Sequence, residues 1–167
     1  MSVLAPPGSK YLPIYLNDHL MGSTTGLELV RRIAHEYPGT DLGVFADGLA
    51  AEIAEDRDTL LEIMDRLGAS RDQVKVALGW VTEKVGRLKL NGELRDRSPL
   101  SPLVELEGLS IGIEGKHLMW VVLAEVDAVA EAIGRDRLAK LVARAVDQRE
   151  RVEVHRRAAA RTALTAG

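Results

Sequence analysis

The stretch IGIEGKHLMW, residues 111–120, places Glu114 and His117 three positions apart in an otherwise apolar run. On a helix that spacing sets a carboxylate and an imidazole about one turn apart on one face. Both groups ligate divalent metals, so the pair has the form of half a metal site. The competing reading is a core helix that carries a histidine, because Glu-x-x-His arises by chance in helical sequence. Asp56 is a second candidate, since it falls on an apolar stripe between Ile53 and Leu60. Buried acids and histidines can also satisfy one another or pair with Arg31, Arg57 and Lys84.

Little else in the chain has the spacing of a reactive site. There is no P-loop, dinucleotide fingerprint or HExxH. The absence of cysteine excludes disulfides, thiolate metal sites and a cysteine nucleophile. His19 shares a face with Leu16 and Leu27 and reads as packed or capped. His35 falls near a helix C-terminus, where a cation is favoured. His155 lies among arginines and reads as solvated.

Those residues need elements to hold them, and the chain reads as helices throughout. It has 167 residues, 46% hydrophobic and 28% charged, which suits one domain with a sizeable core. Aromatic residues are 4%, so the core is mostly Leu, Val, Ile and Ala, a composition of closely packed helices. Residues 1–10 form an arm with two prolines, and residues 11–164 form a single helical domain. Helices are expected at about 12–37, 41–67, 70–90, 99–125 and 135–164, with a short helical piece in DAVAEAIG before Gly134. Pro38-Gly39, Gly68 and Asn91-Gly92 stop the first three. Ser70 and Gln73 make a capping box, and Ser98-Pro99 and Ser101-Pro102 read as caps followed by proline. The MGSTTG segment, residues 21–26, is a close-approach point for another helix, or a kink. The fourth helix is apolar nearly all round, which predicts the most buried helix.

Two topologies accommodate five such helices. Either the first four make an up-down-up-down bundle, or helix 70–90 is a return connection and the other four long helices are the bundle. A helix of about 20 residues spans about 30 Å, enough for that return. The second arrangement resembles the ferritin-like four-helix bundle of small bacterial proteins with a helical crossover. The likeness is carried by YLNDHLMGSTTGLELVRRIAHE, GLAAEIAEDRDTLLEIMDRLG and LVELEGLSIGIEGKHLMWVVL. Di-iron members of that family use a Glu from each of two helices and Glu-x-x-His from the other two. The resemblance therefore implies metal ligands at Glu28, Glu52, Asp56, Glu114 and His117, with iron or manganese as the metal. The set is incomplete: Glu55 stands where the second helix should carry histidine, and the fifth helix offers Gln148 on its buried side.

The expected function follows from that incompleteness. The chain reads as a non-catalytic ferritin-like bundle that acts through self-association, as a dimer, or through a protein partner. The alternative is a di-iron or di-manganese oxidase or metal-storage protein. Residues 135–161 hold nine Lys/Arg against four Asp/Glu, a balance of +5 in a chain of net charge −3. That basic helix is the candidate nucleic-acid surface, although a solvated face is the expected role. No run approaches the roughly 18 apolar residues of a membrane helix. A cytoplasmic protein without a signal peptide is expected.

Overall fold

The computed structural model describes residues 9–71 and 98–165, and among them every regular element is a helix. They are α1 (Tyr11–Glu36), α2 (Asp41–Arg66), α3 (Ser101–Glu125), α4 (Asp127–Ile133) and α5 (Arg135–Thr165). The four long helices fall within two residues of their expected bounds. The expected helix at 70–90, its Ser70/Gln73 capping box and residues 1–8 of the arm lie outside the described residues or extend beyond them.

Local chemistry sets the ends. Gly39 and Gly68 have φ of 71° and 66°, the left-handed region that glycine enters without a Cβ penalty. Thr40 caps α2, its hydroxyl accepting from Gly43 N at 3.1 Å. Gly43 is required there because a Cβ would sit 1.9 Å from Tyr37 O. Ser101 is the first residue of α3, with no side-chain cap, while Ser98 Oγ accepts from Leu100 N one turn earlier. α1 runs unbroken through MGSTTG, where Ser23, Thr24 and Thr25 hydroxyls donate back to carbonyls of the preceding turn.

The long helices pack as two antiparallel hairpins, α1 with α2 and α3 with α5. Arg32 pairs with Glu105, and Leu29 lies over Gly108, so α1 and α3 are antiparallel. Glu52, Asp56 and Glu62 meet Arg151, Gln148 and Arg137, so α2 and α5 are antiparallel as well. It follows that α2 and α3 run the same way and that Arg66 and Ser101 lie at opposite ends of the molecule. Both expected topologies give these directions, and the helix expected at 70–90, which distinguishes them, lies outside the described residues.

The core has two halves. One gathers Leu16, Leu60, Trp120 and Leu138 with Val129 and Ala130 of α4. The other gathers Val30, Leu49, Leu109 and Val152. Between them each long helix carries one polar residue in its buried stripe. The stripes read Leu20-Ser23-Leu27, Ile53-Asp56-Leu60, Ile113-Lys116-Trp120 and Ala145-Gln148-Val152, all at steps of three and four.

One expectation about burial is overturned. α3 is apolar nearly all round, yet the described residues do not cover its outward face: Val104, Ile111, Leu118 and Val122 are 46–73% exposed. Apolar residues on the side facing away from Ile113 and Trp120 have no partner helix among the described residues.

Candidate functional site: the polar layer and its cavity

Asp56 is the centre of the layer, 3% exposed on the inner side of α2. Its Oδ2 accepts from Lys116 Nζ at 2.5 Å and from Gln148 Nε2 at 3.0 Å. Arg144 Nε lies 3.3 Å from Oδ1. Lys116 Nζ also donates to Gln148 Oε1, and Gln148 Nε2 reaches Glu52 Oε2 at 3.1 Å. Arg151 grips Glu52 with two hydrogen bonds, 3.0 and 2.6 Å, the fork-to-fork geometry that arginine favours. Arg144 holds Glu55 at 2.7 Å. Three acids therefore meet three bases, with Gln148 fully buried as the adaptor.

Burial sets the electrostatics and the partners modify it. Burial lowers the Lys116 pKa, more than the adjacent Asp56 raises it. For Glu52, burial pushes the pKa up, but hydrogen bonds from Arg151 and Gln148 win and hold it below the usual carboxylate range.

The structure brings together some of the expected ligands and separates others. Glu52 and Asp56 share the layer. Glu114 faces α5, where its Oε2 accepts from Arg149 at 2.8 Å. His117 Nδ1 is 3.6 Å from Glu114 Oε1, too far for a hydrogen bond, and has no hydrogen-bond partner among the described residues. Glu28 is exposed on α1 and joins none of them. The described residues hold no group of three His, Asp or Glu side chains placed for a metal. The donors present do not fit a di-iron or di-manganese centre, because an ammonium and two guanidiniums already neutralise the acids of the layer.

The inward residue of EGKH is therefore Lys116, not Glu114 or His117. Sequence reasoning passed over it, although the signal exists: Leu109, Ile113, Lys116 and Trp120 recur at steps of four, three and four. A lysine on a buried stripe predicts a buried partner. The small histidine roles also sharpen. His19 packs edge-on to Tyr15, with ring centres 4.6 Å apart. His155 is not solvated; it stacks on Phe45 at 4.1 Å and is half-buried.

Beside the layer lies a cavity of about 190 Å³ among α1, α2 and α3. Ile53, Leu60, Leu109, Ile113 and Met119 supply apolar walls, and Ser23, Asp56 and Lys116 also border it. Gly22 and Gly26 of α1 and Gly112 and Gly115 of α3 border it as well. A Cβ added at any of these four glycines meets no atom within 4 Å. MGSTTG thus edges a gap rather than the tightest approach of two helices. Compared with protein-family models, curated proteins and solved structures, the chain finds no match in any of the three.

Proposed function

We propose that this chain is a ferritin-like bundle whose mid-bundle layer has become a structural ion-pair network, and that it acts without catalysis by pairing with a second copy of itself. The order and directions of α1, α2, α3 and α5 support the ferritin-like reading. The observation that carries the association is the outward face of α3. Val104, Gly108, Ile111, Gly115, Leu118 and Val122 recur at alternating steps of four and three, the spacing of a coiled-coil seam. The four large residues of that seam are exposed. A face that meets its own copy must not repel itself. Here the rim is neutral: Glu107 pairs with Arg156 at 3.4 Å and Glu114 with Arg149 at 2.8 Å.

Light scattering across a concentration series tests this. The expected result is a dimer, converted to a monomer by Ile111→Glu and by Leu118→Glu with helical circular dichroism unchanged. A monomer at the highest soluble concentration sinks the proposal. Metal analysis after reconstitution addresses the oxidase alternative. Stoichiometric iron or manganese would show that the Lys116–Asp56 pair yields to a metal, and would replace the structural reading of the layer.

A further inference from the structure

We infer that the cavity among α1, α2 and α3 is a binding site for a small neutral molecule, ring-sized and apolar, carrying one hydrogen-bond acceptor for Trp120 Nε1. Three observations converge on it. Size comes first. A cavity of about 190 Å³ exceeds the roughly 150 Å³ apolar cavity that accommodates benzene. It therefore takes a single ring with a small substituent.

Second, Trp120 borders the cavity, is 1% exposed, and its Nε1–H has no hydrogen-bond partner among the described residues. Buried indole N–H groups ordinarily find an acceptor, and one left open carries a desolvation penalty. A ligand oxygen that reaches Nε1 from the cavity removes that penalty. An anionic ligand finds no free lysine or arginine among the described residues that border the cavity, and the exposed Asp18 at its edge is itself negative. Lys116 is engaged by Asp56 and Gln148, and Arg57 donates to Thr24 and pairs with Asp58. The acceptor is therefore a neutral carbonyl, hydroxyl or ether.

Third, the cavity is edged by glycines that packing does not require. Gly22, Gly26, Gly112 and Gly115 all have room for a side-chain carbon, and none has the positive φ that demands glycine. Each is a weaker helix former than alanine. Their common effect is to keep the space between α1 and α3 open, with the Gly22 and Gly112 positions exposed at the surface. Loss of helix propensity at four places on two helices, all around one cavity, is the signature of an entrance.

The test uses the full-length protein and two probes of the same shape. Acetophenone carries a carbonyl acceptor, and ethylbenzene lacks it. The Trp120 indole N–H resonance is followed by ¹⁵N NMR during each titration. Expected are saturable acetophenone binding, a downfield shift of that resonance, and affinity about five-fold above ethylbenzene, the worth of one neutral hydrogen bond. Gly112→Val, which adds methyls where space is free, weakens acetophenone by about ten-fold while the protein stays folded. Gly26→Ala is the milder companion and weakens it less. The inference is overturned if neither probe saturates, if acetophenone binds without moving the Trp120 signal, if the two probes bind equally, or if Gly112→Val binds as the parent does.

Discussion

Lys116 Nζ of α3 sits 2.5 Å from Asp56 Oδ2 of α2, inside the layer that separates the two halves of the core. The residues are 60 apart in sequence. Their contact ties the first hairpin to the second where apolar packing is interrupted. Buried pairs of this kind add little net stability over an apolar replacement, but removing one partner strands the other.

The two single removals should therefore cost more in sum than the double removal. Lys116→Met is expected to destabilise by about 3 kcal/mol, the low end for an uncompensated buried charge, since Gln148 and Arg144 still reach Asp56. Asp56→Leu should cost a similar amount. The double variant should recover about 2 kcal/mol or more of the summed loss in urea unfolding. Strict additivity would show that the pair is not a coupled unit.

Glycines in different settings should respond in opposite directions. Gly22→Ala places a methyl in open space and improves helix propensity, so stability should rise by about 0.5–1 kcal/mol. Gly43→Ala drives a Cβ into Tyr37 O and should destabilise by about 1–3 kcal/mol. Thermal melts of both variants against the parent give the signs directly. A loss at Gly22 would contradict the open gap between α1 and α3.

Acid should weaken the fold in two stages. Burial lowers the pKa of His19 and of His155 below 6.5, with Asp18 and Asp41 opposing in turn. The folded state thus disfavours their protonation. Their contribution is fully present above pH 6.5 and is lost as pH falls through the folded values. Glu52, also lowered, adds a second loss below its ordinary value of 4.5. Urea midpoints measured from pH 8 to 3 should be level at first and then decline below about 6.5. His19→Gln with His155→Gln should remove the first stage and keep the second.

Glu153 offers a local check. Hydrogen bonds from Arg156 and Arg157 hold its pKa at about 2. Carboxyl-carbon NMR should show that low midpoint, and Arg156→Gln should bring it back toward 4.5. Its share of stability exists above 4.5 and disappears as pH falls through 2.

The helices were legible because their signals are local. Pro38-Gly39, Gly68, Gly134 and the three-and-four steps of leucine mark ends and inner faces without knowledge of neighbours. Asp56 was found in the same way, from its place between Ile53 and Leu60. Glu114 and His117 misled because three-residue spacing shows that two side chains share a face, not which face turns inward. The apolar stripe through Ile113 and Trp120 answers that, and it selects Lys116. The exposed side of α3 was hidden for a related reason. A helix apolar on every side does not state which side its own chain covers. The cavity was beyond reach, since its walls come from three helices and depend on how far apart they stand.

The two hairpins meet along unequal edges. α1 and α3 come close enough for Leu29 to cover Gly108, while α2 and α5 are spanned by the long stems of Arg137, Arg144 and Arg151. The molecule is built like a book, with a bound spine on one side and clasps on the other. Salt screens clasps and leaves a spine intact. Raising the salt concentration should therefore loosen the α2–α5 edge first, lifting the arginines from their acids before either half of the core is disturbed.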